Sequence, residues 1–306
     1  MSSVPAAHDG SPRVVLVTGC SSGIGRATAE RLAAHGWTVY ATARRVDTLE
    51  ALAAAGCRLL PLDVTDEASM VEAVRQVEAT HGSIDALVNN AGYSQSGAVE
   101  AVSVERVRAQ FETNVFGLLR LTQLVLPGMR RARRGTVVVL GSVGGKLVFP
   151  GGGVYHATKY ALEALCDALR FELAGFGVRV VLIEPGLIRT HFAGTAVGSI
   201  DTGYAAAPDG TSMRPGPGSA YGRFHAEVAR ITREAYERGA LAPLLGTADD
   251  VARVIEQALD TSRPKARYTV SPSATVLLFL RWLLPDSWWD RFLARTYVRP
   301  GDSAAR

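Results

Sequence analysis

Cysteine is scarce. Cys20, Cys57 and Cys166 are the whole complement in 306 residues. Three scattered thiols exclude a disulfide-stapled scaffold and offer no metal-ligand spacing, so no metal is expected. They fit a reducing compartment, and the expected location is cytoplasmic. Long apolar runs are also missing. The longest, "TVLLFLRWLLP", is interrupted by Arg281 and is about half of the ~20 residues that a membrane-spanning helix needs. The leading "MSSVPAAHDGSPR" has no apolar stretch of the kind a signal peptide carries. Charge of one sign is scarce too, since the formal excess is only +4. Part of it lies in Arg130, Arg131, Arg133 and Arg134, which no aromatic or further basic residue extends. That run reads as a solvated helix end, and no nucleic-acid partner is expected. No internal repeat is visible.

What is present is a large apolar complement, 47% hydrophobic against 20% charged, as a globular chain with a sizeable core requires. After a leader at 1–12, apolar runs alternate with helical patterns. "RVVLVT", "WTVYATA", "CRLLPLDV", "IDALVNNAG", "GTVVVLGS" and "VRVVLIEPG" read as six strands. Helices separate them, the longest over about 104–133 and interrupted at Gly117 and Pro127. "ARYTVSP" adds a seventh strand near the end. Strands alternating with helices imply parallel pairing through right-handed crossovers. Strands that are apolar throughout imply a sheet covered on both faces. The expected fold is therefore α/β, a doubly wound, Rossmann-type parallel sheet of about seven strands with helices on both faces. One domain is expected over 13–272, with a small-residue loop or lid at 187–220 and a helical extension at 273–306. Ligands of such sheets sit beyond the carboxyl ends of the strands.

The first strand runs into "TGCSSGIG", with Gly19, Gly23 and Gly25 at a strand–helix junction. A first glycine permits the turn, a second lets the backbone approach a pyrophosphate, and a third lets the helix pack on the strand. "GCSSG" also resembles the serine elbow of hydrolases, with Ser21 as nucleophile. Only one strand precedes Ser21, however, and His191 and His225 lack an evident acidic partner, so dinucleotide binding is preferred. NAD sites place an acid about twenty residues further on, at the ribose. Here the second strand ends "YATARR", with Ala43 at that place and Arg44 next. A guanidinium pairs with a 2′-phosphate where a carboxylate would repel it, so NADP(H) is the expected cofactor and Arg44 its main specificity contact. Asp63, ending the third strand, suits either an adenine amino group or a cap on the helix starting near Asp66.

"YHATK" places Tyr155 and Lys159 one helical turn apart. A phenol titrates near 10, and a neighbouring ammonium lowers that value. The pair suits proton exchange with a carbonyl oxygen. Ser142 at the end of the fifth strand, Asn114 beside Gly117, and Asn89, Asn90 and Gly92 of "NNAG" come to the same sheet edge. Alone, each also reads as a cap, a surface amide or a turn.

Together, "TGCSSGIG", "NNAG", Asn114, Ser142, "YHATK" and "PGLIRT" resemble the short-chain dehydrogenase/reductase family over residues 13 to about 192. The thirteen-residue step from Ser142 to Tyr155 agrees with its pattern. The resemblance implies Tyr155 as general acid/base, Lys159 lowering its pKa and binding the nicotinamide ribose, Ser142 orienting the substrate oxygen, and Asn114 holding a relay water. It also implies a cofactor site of Gly19, Ser21, Gly23, Ile24, Gly25, Asp63, Val64, Asn90, Ala91, Gly92, Pro185, Ile188 and Thr190. A homodimer or homotetramer is implied as well. The run from "ATARR" through "PGLIRTHF" is similar to the steroid and retinol dehydrogenase-like branch.

Val143, Leu147, Val148, Phe149 and Phe192 surround the expected pocket and favour a small apolar ketone or alcohol. The terminal "TVLLFLRWLLPDSWWDRFLARTYV" could lie on a membrane, cover the pocket or meet a partner subunit. Packing on the protein body is preferred. A non-catalytic dinucleotide sensor and an isomerase or dehydratase on the same scaffold are the competing functions.

Overall fold

Every residue of Val14–Val17 (β1) is buried, and alternate side chains enter different cores. In the computed structural model, which describes residues 13–201, 219–239 and 241–301, Val14 and Leu16 point into one apolar cluster. Val15 and Val17 point into another. This two-sided burial is why the strand has no polar alternation.

The chain continues through Gly23–Ala34 (α1), Thr38–Ala43 (β2), Glu50–Ala54 (α2) and Arg58–Pro61 (β3). Glu67–His81 (α3), Ala86–Asn89 (β4) and Val104–Phe111 (α4) follow, then Leu118–Ala132 (α5) and Gly135–Leu140 (β5). Gly153–Ala174 (α6) leads to Val178–Pro185 (β6), Ile188–Arg189 (β7) and Phe192–Gly198 (α7). Gly222–Glu237 (α8), Gly246–Thr247 (β8), Ala248–Asp260 (α9) and Arg267–Val270 (β9) precede the last helices, Pro272–Leu283 (α10) and Asp286–Thr296 (α11).

Seven strands form one parallel sheet in the order β3-β2-β1-β4-β5-β6-β9, while β7 and β8 pair separately. The core cluster on one face takes in residues of α3, α5 and α6, and that on the other takes in α1 and α9. The sheet reverses its winding between β1 and β4. The carboxyl ends of these strands therefore diverge around a crevice.

Two local expectations need correction. Pro127 does not interrupt its helix but lies inside α5. The carbonyl four residues back, deprived of its donor, belongs to exposed Gln123, where its loss is cheap. Asp63 does not cap α3. Asp66 does, accepting from the Ala68 and Ser69 amides, whereas Asp63 accepts from the amide and hydroxyl of Thr65. The interruption at Gly117 is real: Glu112–Gly117 forms a π-helical turn between α4 and α5. The expected solvated end of α5 is also there. Arg131 pairs with Glu78, Arg134 with Asp85, and Arg133 closes the helix at φ 54°.

Of the expected loop at 187–220, β7 and α7 are ordered elements, and 202–218 lie outside the described residues, as does the leader at 1–12. In the extension, Leu277 and Trp289 are buried against Leu147, and the Trp289 ring lies 6.2 Å from that of Phe149. The outer face leaves Phe279, Trp282, Leu283, Trp288 and Phe292 exposed. No helix among the described residues is long and apolar enough to cross a membrane.

Candidate active site

A cavity of about 290 Å³ opens at the carboxyl ends of the strands. Of the residues singled out by sequence, Gly23, Ile24, Asn90, Gly92, Ser142, Tyr155, Lys159, Pro185, Ile188 and Thr190 line it. Gly19, Ser21, Gly25 and Ala91 build the turn behind it, and Asn114 lies beneath. Arg44, Asp63 and Val64 stand at the outer ends of β2 and β3, away from its walls. Ser21 is exposed and forms no hydrogen bond with a histidine among the described residues, which leaves the hydrolase reading unsupported.

The glycine turn is tied to β4 by side chains. Gly19 takes φ +71°, a value that side-chain-bearing residues rarely adopt. Asn90 Nδ2 donates to the carbonyls of Thr18 and Gly19 at 2.8 and 3.1 Å. The amides of Asn90 and Ala91 both donate to Thr18 Oγ1. Beyond this turn, α1 starts without a side-chain cap on Ser22 and without an acid in its first turn. Free N–H groups and the positive end of the helix dipole thus face the cavity, which suits a pyrophosphate. At the end of β2 the Arg44 guanidinium is exposed and forms no ion pair among the described residues. The residues present therefore fit a phosphorylated dinucleotide.

Ser142 ends β5 in an extended conformation and accepts a hydrogen bond from the Gly144 amide at 3.0 Å. Its hydroxyl lies close enough to Tyr155 to favour the ionised phenol. Lys159 Nζ donates to the Leu140 carbonyl at 2.7 Å and stands 5.7 Å from the Tyr155 ring centre. Burial pushes the Tyr155 phenol up, the Ser142 hydroxyl pulls it down, and Tyr236 pushes it up further. Burial in turn brings Lys159 down to about 8, because desolvation penalises its charge. At neutral pH the ammonium persists, satisfied by Leu140 rather than by the phenol.

Asn114 is not among the residues that line the cavity. Its Nδ2 donates to Tyr93 O at 2.9 Å and to Thr158 Oγ1 at 3.2 Å, and its Oδ1 accepts from the Tyr93 amide at 3.1 Å. Both amide donors are used, leaving one lone pair of Oδ1 as the side chain's capacity for a water. The buried side chain clamps the chain after β4 to α6. Leu147 and Val148, expected at the pocket, are not there either. Leu147 turns under α10 and α11, and Val148 faces solvent, while Val143, Phe149 and Phe192 do line the cavity.

His156, inside "YHATK", carried no expectation. Its Nδ1–H donates to the Gly144 carbonyl at 3.0 Å, and its Nε2 accepts from the Phe149 amide at 3.2 Å. The accepting nitrogen cannot hold a proton, so these contacts select one neutral tautomer. The ring pins the Ser142-bearing loop to α6, and burial holds its pKa below the usual 6.5. A depressed folded pKa means that the unfolded chain binds the proton first as pH falls. Stability present above 6.5 is therefore lost progressively below it, by at most about 1.4 kcal/mol per pH unit for this group. His81, also held low by burial, acts in the same direction. Urea titrations at pH 7.5 and 5.5 are expected to show a smaller pH loss in His156→Asn than in the parent.

Sequence reasoning also missed Tyr93 and Tyr236, which line the cavity. Tyr236 comes from α8, beyond any recognisable motif, and no sequence signal could have found it.

Residues 13–198 match the family model described as short chain dehydrogenase. Human 17-beta-hydroxysteroid dehydrogenase type 1 is 37% identical over 280 residues, covering 88% of this chain and 80% of that one. A crystal structure of a short-chain dehydrogenase from Streptomyces avermitilis superposes with TM-score 0.71 at 36% identity, covering 93% of this chain and 94% of the other. The closed form of a serine dehydrogenase complexed with NADP+ does so with TM-score 0.69 at 30% identity, covering 85% and 94%.

Proposed function

Because the chain belongs to the short-chain dehydrogenase family, an oxidoreductase family with steroid dehydrogenase-like relatives, we propose that it interconverts an apolar secondary alcohol and its ketone with NADP(H). The observation that carries this reading is that Ser142, Tyr155 and buried Lys159 line one cavity, which also receives the uncapped start of α1. Phe149, Phe192 and Val143 make the walls apolar around these few polar groups.

A dinucleotide held here would supply hydride chemistry at the substrate carbon. Gly19, Ser21, Gly23, Ile24 and Gly25 would hold its pyrophosphate, and Asp63, Val64, Asn90, Ala91 and Gly92 its adenosine half. Pro185, Ile188 and Thr190 would flank its nicotinamide end. In reduction, Tyr155 gives its proton to the carbonyl oxygen. Ser142 donates a second hydrogen bond to that oxygen and fixes its position. Lys159 places a positive charge on the same side of the cleft, where it supports the phenolate left behind and would bind the ribose of the nicotinamide. Asn114 holds the Tyr93 segment and α6 in register beneath the reacting groups.

NADP(H) preference rests on Arg44 and on Ala43 standing where an acid would favour NAD(H). In Arg44→Asp the ratio of kcat/KM for NADPH over NADH falls by about 10- to 100-fold, the worth of a charge-assisted phosphate contact. Steady-state kinetics with both cofactors measures it, and an unchanged ratio would remove the assignment. The proposal includes a cytoplasmic homodimer or homotetramer without nucleic-acid partners, and α10–α11 as a cover on the protein body. Reduction of ketones, quinones, steroids and retinoids, followed by NADPH oxidation, tests the activity itself.

A further inference from the structure

One polar group in the cavity has no part in the reaction above. Tyr236, from α8, lines the same space as Ser142 and Tyr155. Its phenol forms no hydrogen bond among the described residues, and it stands near enough to Tyr155 to affect that group's titration. Burial pushes the Tyr236 phenol itself up to about 12, so it remains a neutral hydrogen-bond donor throughout the working pH range.

Several other polar side chains around the cavity have partners or belong to the proposed cofactor site. His156 is satisfied at both nitrogens, and Thr195 donates to the His191 carbonyl. Tyr93 feels Arg106 and Arg44, which places it toward the adenosine end. His191 is exposed. The reacting carbonyl oxygen has two lone pairs, and Tyr155 and Ser142 take both. A third donor beside apolar walls therefore has no acceptor on that oxygen. An entering ligand displaces solvent from the Tyr236 hydroxyl, and a purely hydrocarbon ligand leaves it unpaired, which is costly.

We propose that Tyr236 is a specificity-determining residue that donates to a second oxygen of the substrate. The site would then take an alicyclic or aryl ketone or alcohol bearing a further hydroxyl, ether or carbonyl group. This rests on the reading of the site as a ketone–alcohol oxidoreductase. The pockets of such enzymes discriminate strongly when a hydrogen-bonding group has to be matched.

The test is NADPH oxidation by the full chain with paired ketones: 1-tetralone against its ring-hydroxylated isomers, and 1-decalone against hydroxydecalones. In the parent protein at least one oxygenated member exceeds its hydrocarbon partner in kcat/KM by about 10- to 100-fold, chiefly through KM. In Tyr236→Phe that ratio collapses toward one. The oxygenated substrate loses its partner, and the hydrocarbon ketone no longer buries an unpaired phenol. NADPH binding, read by fluorescence titration, keeps its affinity in the variant and reports an intact fold. Parent enzyme that treats both members of every pair alike overturns the proposal whatever the variant does. So does a Tyr236→Phe protein that retains the preference or loses activity on both members equally. If the parent reduces no ketone of either series, the oxidoreductase reading fails first and takes this one with it.

Discussion

Tyr155→Phe lowers kcat/KM for ketone reduction by about 10³-fold and leaves NADPH affinity within a few-fold of the parent. The size is that of removing a positioned general acid. Phenylalanine keeps the ring, which packs 5.4 Å from that of Phe192, so the cavity wall survives and only the proton and the Ser142 contact are lost. Single-turnover reduction under saturating NADPH separates chemistry from binding. A variant that retained a tenth or more of the parent rate would show that the proton comes from elsewhere. A pH profile supplies a second readout. Lys159 sits near 8, so its charge fades as pH rises through that value. With it goes the support for a phenolate at Tyr155. Reduction by the parent is expected to decline above about pH 8.

Gly117→Ala destabilises the protein by about 3 kcal/mol, at the upper end of what overpacking costs. A methyl group there would overlap the Val64 carbonyl, which is backbone and cannot rotate away. Gly117 closes the π-helical turn that contains Asn114. The displacement reaches Val64, a proposed adenosine contact, and Asn114, which clamps Tyr93 and Thr158. NADPH affinity therefore falls together with the urea midpoint. Gly175→Ala is the control. Gly175 has helical dihedrals, and a methyl group there meets nothing within 4 Å. Its stability should match the parent or exceed it by a few tenths of a kcal/mol. Equal unfolding midpoints for the two variants would refute the close approach.

Much of this site was legible because its signals are local. The run "VVLV" is apolar at every position, and the structure buries it on both faces. "TGCSSGIG" announces a strand, a turn and a helix in one breath of chain, and Gly19 has the positive φ that such a turn requires. Tyr155 and Lys159 share a helix, so their neighbourhood follows from helical geometry. Other features depend on partners on other elements of the fold. Lys159 stands 5.7 Å from the Tyr155 ring centre, but its acceptor, the carbonyl of Leu140, lies on a different element. Leu147 and Val148 read as pocket residues from hydrophobicity alone. Neither lines the cleft: Leu147 is buried under α10 and α11, and Val148 faces solvent. Pro127 read as a break because its backbone lacks a donor, and the helix passed through it because packing on both flanks holds α5 in place: Val125, Leu126, Gly128 and Met129 are all buried.

By itself the sequence determined the class of sheet, the dinucleotide turn at its first crossover, and the spacing of serine, tyrosine and lysine along the chain. These follow from periodicity and from backbone preferences acting over a few residues. Only the tertiary structure decided which groups are desolvated and which donors meet acceptors: Lys159 on Leu140, His156 between Gly144 and Phe149, Tyr236 facing the cavity without a hydrogen-bond partner among the described residues. Burial and hydrogen bonding are properties of three-dimensional neighbours, and those neighbours come from separate elements of the fold.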